Sequence, residues 1–252
     1  MNRYSIHGTY AYRTDRGKVR KDDEDRSLVL MNAAGEVLLV VADGMGGANK
    51  GDVASKMAVD VLAALFRSKK PHVLAHGDKK WLKKAYRKAN KAIYAYQDAH
   101  PEAKGMGTTL VAALLSGKRL LVANVGDSRA YAIKDREGRQ LTVDQTYVNF
   151  LLRAGKIRPE EALTHPDRHV LMNALGIYPS LALDIYSYRY EGETLLLCSD
   201  GLYNQLPLSS IVAIASTDER ADQKALAYVY EANGTGGSDN IAVAYWEALG
   251  ND

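Results

Sequence analysis

The chain has 252 residues, 46% of them hydrophobic, and a formal net charge of +3, which suits one large domain with a full core and is too weakly basic to point to a polyanionic partner. Its single cysteine, Cys198, excludes a disulfide framework and a cysteine-based zinc site. No apolar h-region follows Met1, and no apolar stretch approaches the roughly 18 residues of a membrane helix, so the expectation is a soluble cytoplasmic protein, a monomer with no membrane and no nucleic-acid partner.

No linker, repeat or low-complexity segment divides the chain, and a single domain over 1–252 is expected. Residues 36–42 read as a buried strand that runs into the glycine-rich turn Ala42-Asp43-Gly44-Met45-Gly46-Gly47. Residues 52–66 place Val53, Met57, Val61, Leu62 and Leu65 on one helical face, and residues 78–97 do the same with Leu82, Ala85, Ala89, Ile93 and Tyr96. The basic run Lys79–Lys88 is read as the solvated side of that second helix. Two strands, Thr109–Leu115 and Leu120–Val125, flank the turn Ser116-Gly117-Lys118, and a third, Ala130–Ile133, completes what reads as an antiparallel meander.

Short helices are expected at 147–154 and at 159–163, where Pro159 suits a first helical position. Residues 164–190 are irregular and tyrosine-rich, with strand-like alternation over Leu181–Tyr190. A strand at 194–198 encloses Cys198, a buried structural thiol rather than a nucleophile. Helices at 207–215 and 218–232 and a strand at 240–246 close the chain. Strands and helices come in blocks, which favours a layered α+β fold over a doubly wound parallel sheet.

The acids sit at the ends of the apolar runs. Asp43 follows Val37–Val41, Asp127 follows Leu120–Val125 in Gly126-Asp127-Ser128-Arg129, Asp200 follows Thr194–Cys198 in Ser199-Asp200-Gly201-Leu202, and Asp239-Asn240 precedes Ile241–Trp246. A further cluster, Asp22-Asp23-Glu24-Asp25, follows Arg20. One Asp–Gly turn is ordinary hairpin chemistry. If these converge, the carboxylates repel one another and call for cations, and all-oxygen donors suit Mg²⁺ or Mn²⁺. Gly46–Gly51 lacks the Gly-Lys-Ser/Thr ending of a nucleotide-binding loop.

In that order, Val19-Arg20 with Glu24-Asp25, Asp43–Gly47 with Gly51 and Ala54-Ser55, Met106-Gly107-Thr108-Thr109, Gly126–Arg129, Leu141–Asp144, Ser199–Leu202 and Asp239-Asn240 resemble the motifs of the bacterial metal-dependent serine/threonine protein phosphatases of the PPM (type 2C) family. The resemblance covers nearly the whole chain. It implies a four-layer α-β-β-α sandwich, two antiparallel sheets flanked by helices, with a flap-like segment at about 146–190. It implies two Mn²⁺ or Mg²⁺ ions: Asp43 bridging them, the Gly44 carbonyl on one, Asp200 and Asp239 on one, Glu24 with Asp25 serving the other. Asp127 with Asp200 matches a weaker third site, and Arg20 matches the arginine that grips the substrate phosphate, its planar fork suited to two parallel hydrogen bonds.

The function implied is hydrolysis of phosphoserine and phosphothreonine in proteins by direct attack of a metal-activated water, countering a serine/threonine kinase. The chain departs from the family pattern at Ala48 and Gln145, where histidine is usual, and at Asp52 and Ala242. No metal ligand is lost, but two proton donors to the leaving alkoxide are. This leaves two alternatives, a catalytically weakened scaffold of the same fold and a small-molecule phosphatase. His7, His72, His76 and His100 read as surface groups, whereas His165 and His169 lie in the segment the family places beside its active site.

Overall fold

The computed structural model describes residues 6–46, 50–71 and 75–249. Gly47, Ala48 and His72 lie outside the described residues, and with them the departure at Ala48. The strands are β1 (Gly8–Asp15), β2 (Asp25–Met31), β3 (Val37–Met45), β4 (Gly107–Thr108), β5 (Leu110–Ser116), β6 (Arg119–Val125), β7 (Arg129–Lys134), β8 (Glu137–Gln140), β9 (Asp184–Arg189), β10 (Thr194–Cys198) and β11 (Ile241–Ala248). The helices are α1 (Gly51–Arg67), α2 (Ala75–Ala99), α3 (Tyr147–Arg153), α4 (Pro159–Thr164), α5 (Asp200–Tyr203), α6 (Leu208–Ala215) and α7 (Ala221–Gly234).

Two antiparallel sheets form, one in the order β1-β11-β10-β7-β8, the other in the order β2-β3-β5-β6-β9 with β4 paired to the end of β3. Successive side chains of a strand point to opposite faces. In β3, Val37, Leu39 and Val41 therefore join Leu195, Leu197, Ala242, Ala244 and Trp246 in the core between the sheets. Leu38, Val40 and Ala42 turn the other way and pack on Leu62, Phe66, Leu82, Tyr86 and Ile93 of α1 and α2. Both faces are buried, so the strand reads as an unbroken apolar run. The first sheet repeats the arrangement: Leu196, Cys198, Val243 and Tyr245 face α6 and α7. The result is the layered α-β-β-α sandwich.

The meander expected over β5, β6 and β7 does not form. β5 and β6 make a hairpin, but β7 lies in the other sheet, beside β10. The three residues Gly126-Asp127-Ser128 carry the chain across, and Gly126, at φ 101°, makes the sharp change of direction that a side chain resists. Asp135 and Arg136, both left-handed at φ 52° and 61°, turn β7 back into β8, where no strand was expected. β1 and β2 were not anticipated either.

Candidate active site

One end of the sandwich is a cleft of about 500 Å³ lined by Arg20, Glu24, Asp43, Gly44, Asp127, Asp200 and Asp239, and also by His169, Val170 and Leu171. Of the expected site residues, all line it except Asp25, which is buried directly beside Asp43. The strand parity that sends Val29, Leu39 and Val41 into the inter-sheet core sends Asp25 and Asp43 to the same side, at the mouth between the sheets.

Each acid is fixed by its neighbours. The Asp43 N–H donates to Thr109 Oγ1 (3.0 Å), and its carbonyl accepts from Thr109 N (2.8 Å) and Thr108 Oγ1 (2.9 Å). A Cβ at Gly44 would collide with the Gly51 carbonyl oxygen, and one at Gly201 with that of Asn240, so both glycines are demanded by close approach of backbones. Asn240 ties the acidic N-terminal loop to the start of β11: its Nδ2 donates to the carbonyls of Arg16 and Asp22 (2.9 Å each), and its Oδ1 accepts from Glu24 N (2.9 Å). Arg20, half exposed, donates through one nitrogen to Asp239 Oδ2 at 2.7 Å.

The electrostatics are those of crowded acids. Burial, then the carboxylates of Asp25, Asp200, Asp127 and Asp239, hold Asp43 well above the ordinary range. Burial raises Asp25 in the same way, the Ser199 side chain opposes the shift, and Asp200, Asp23 and Asp239 add to it. Asp127 is pushed up to about 7 by burial, then by Asp200 and Asp144. Asp200 is pushed up to about 6 by burial, then by Asp239, against the pull of Arg20 and Arg129. Neither oxygen of Asp25, 1% exposed, meets a hydrogen-bond donor in good geometry among the described residues. A buried carboxylate without a donor is costly, and hard oxygen donors beside it match a divalent cation. Among the described residues no three acids close on one point as a finished cage, and Asp239 is turned to Arg20.

Several supporting residues escaped the sequence reading. Arg129 grips Asp144 through Nε and Nη2 (2.6–3.1 Å), and its guanidinium stacks 3.5 Å over the Tyr203 ring. Gln145, standing where the family pattern has histidine, is a brace. Its Oε1 accepts from Gly126 N (3.0 Å) and Asn173 Nδ2 (2.7 Å), and its Nε2 donates to Asp184 Oδ2 (2.8 Å). It ties the crossing at Asp127 to the segment between α4 and β9. In that segment His165 meets the edge of the Tyr147 ring, away from the cleft lining, whereas His169 is the one imidazole lining the cleft among the described residues.

Residues 13–227 match the family described as protein phosphatase 2C. The chain belongs to the protein phosphatase 2C family. Among curated relatives, this phosphatase is 40% identical to the serine/threonine phosphatase stp of Listeria monocytogenes, over 92% of each chain. Its fold superposes on the serine/threonine phosphatase Stp1 of Staphylococcus aureus with a TM-score of 0.90, at 33% identity, over 98% of this chain and 97% of that one. The catalytic domain of the serine/threonine protein phosphatase PstP, solved with two manganese ions, matches at a TM-score of 0.84 and 34% identity, over 98% of this chain and all of that one.

Proposed function

We propose that this serine/threonine protein phosphatase hydrolyses phosphoserine and phosphothreonine in proteins at a centre of two Mn²⁺ or Mg²⁺ ions, in the cytoplasm, against a serine/threonine kinase of the same cell. Asp43, the Gly44 carbonyl, Glu24, Asp200 and Asp239 would hold the ions, Asp25 would support them directly or through water, and Asp127 with Asp200 would form a weaker third site. The observation that carries this reading is the buried Asp25, which meets no donor in good geometry among the described residues, beside Asp43 on the wall of a cleft of carboxylates. The manganese of the PstP structure supports it from a relative.

Two divalent ions there would supply an activated water and screen the phosphate charge. The chain's own groups do the rest. Arg20 stands half exposed at the cleft, and its guanidinium makes no hydrogen bond among the described residues other than that to Asp239, so it can present N–H groups to phosphate oxygens. His169, which lines the same cleft, would give a proton to the departing seryl or threonyl oxygen, the role that Gln145 does not fill.

The test is phosphate release from a phosphothreonine peptide by wild type and Asp200→Asn, each with Mn²⁺ and with EDTA. Turnover that needs Mn²⁺ and collapses in the variant supports the reading. Wild type that binds Mn²⁺ yet is as inactive as the variant would show a scaffold that keeps the fold and has lost turnover.

A further inference from the structure

The outer surface of α2 carries a charge that the cleft does not use. Residues 51–99 hold eleven Lys and Arg against four Asp and Glu, a surplus of seven in a chain of net +3, which leaves the rest of the chain at −4. The surplus is concentrated in residues 79–91, with seven Lys and Arg and no acid. Leu82, Ala85, Tyr86, Ala89 and Ile93 of the helix are buried, while Lys80, Lys83, Lys84, Arg87, Lys88 and Lys91 are exposed and line one shallow groove of about 320 Å³. None of these six makes an ion pair or side-chain hydrogen bond among the described residues. Some exposed cations elsewhere are paired, Lys56 with Asp60, Arg158 with Glu161 and Arg220 with Asp222, but the α2 face gathers six unpaired ones in one groove.

A solvated helix surface usually carries both signs, because i,i+4 pairs of opposite charge stabilise it and like charges destabilise it. Here like charges repeat at 80, 84, 88 and 91 along roughly 17 Å of helix. The repulsion is relieved by an anionic surface laid against it. Six of the seven cations are lysines, point charges on flexible stems, rather than the forked arginines that grip a phosphate in fixed geometry. No large apolar side chain of α2 is among the exposed ones, so the face lacks the apolar anchor of a protein interface. It also lacks the deep groove that would fix a folded partner. A layer of laterally mobile negative charges fits all of these features.

We propose that the basic face of α2 seats the phosphatase on bilayers rich in anionic phospholipid, peripherally and by electrostatics alone. Among the described residues no helix is long and apolar enough to cross a membrane, so this is contact with a surface. None of the six cations lines the cleft, so the two functions are separable.

The experiment is co-sedimentation of the full chain with vesicles of phosphatidylglycerol and phosphatidylcholine, and with phosphatidylcholine alone. Expected are binding to the anionic vesicles at low salt, release at high salt through screening, and a loss on the order of tenfold or more in K80E/K84E/K88E. That variant should keep wild-type turnover of a soluble phosphopeptide, which also shows that it is folded. Should the reversal not fold, K80Q/K84Q/K88Q reads the same loss. Equal binding to both vesicles, an unchanged partition of either variant, or retention on polyglutamate or duplex DNA with none on anionic vesicles overturns the proposal.

Discussion

Asp25 and Asp43 are direct partners in the antiparallel register of β2 and β3, so two carboxylates face each other across neighbouring strands at the mouth of the inter-sheet core. Like charges in that position are destabilising, and here neither Asp25 oxygen meets a hydrogen-bond donor in good geometry among the described residues. The pair is tolerable when protonated or when a cation lies between the acids.

Replacing Asp43 by Asn removes one of the two charges. The metal-free variant should melt several degrees above metal-free wild type, while phosphopeptide turnover falls at least about a hundredfold. Melting in EDTA together with steady-state turnover in Mn²⁺ checks both halves. A variant less stable than wild type in EDTA would mean that the carboxylate pair is not a source of strain.

The raised acids set a pH dependence for the metal-free protein. A group whose folded pKa lies above its unfolded value binds more protons when folded, so its contribution is full below the unfolded pKa and is lost as pH rises through the folded one. For Asp200, about 6, and Asp127, about 7, with Asp25 and Asp43 shifted the same way, this means declining stability from about pH 4 to about pH 7. Mn²⁺ should restore stability at the upper end and have little effect at the lower end, where protons occupy the oxygens. Thermal melts across that range, with EDTA and with Mn²⁺, measure it.

Asn240→Ala leaves Glu24 N and the Arg16 and Asp22 carbonyls without their shared partner. A loss of about 1–3 kcal/mol is expected, together with weaker Mn²⁺ binding, because the loop that presents Glu24 and Arg20 is released. Denaturant melts and calorimetric Mn²⁺ titration separate the two effects.

His169→Gln tests the proton donor. With a phosphothreonine peptide, kcat should fall on the order of a hundredfold. With p-nitrophenyl phosphate, whose leaving group needs no proton, kcat should hardly change. Equal losses on both substrates would make His169 a binding residue instead.

Far from the cleft, Lys69 Nζ lies between Glu36 (2.7 and 2.8 Å) and Asp78 (2.8 Å), with Lys69 and Glu36 side chains fully buried. Lys69→Met would leave the buried Glu36 without its cation and Asp78 with Arg119 as its remaining cation, and cost about 3–5 kcal/mol. The double change Lys69→Met, Glu36→Gln, which leaves Asp78 paired with Arg119, should recover much of that, as denaturant unfolding can show.

The acids were legible because each closes an apolar run, a pattern that survives without knowledge of the fold. The two buried strands β3 and β10 were legible for the same reason. β1 was not, since Tyr10 and Tyr12 stay exposed and mimic a loop. β2 was hidden because it opens inside the acidic cluster, at Asp25. The crossing at Gly126–Ser128 has the composition of a hairpin turn, and only the tertiary pairing of β7 with β10 tells the two apart. The bracing role of Gln145 was hidden for another reason: a residue type shows which chemistry it lacks, whereas its place in a hydrogen-bond network depends on where Gly126, Asn173 and Asp184 end up.

The acids of the cleft come from both sheets: Glu24, Asp25 and Asp43 from one, Asp200 and Asp239 from ends of strands in the other, with Asp127 on the crossing. Along the chain Glu24 and Asp239 are more than two hundred residues apart, yet Asn240 bonds to the Glu24 backbone. No collapsed state in which only one sheet has formed brings all six acids together. A divalent cation held by these acids would then have little purchase on the transition state for folding and would act almost wholly on the finished molecule, slowing the rate at which it unfolds while leaving the rate at which it folds nearly untouched.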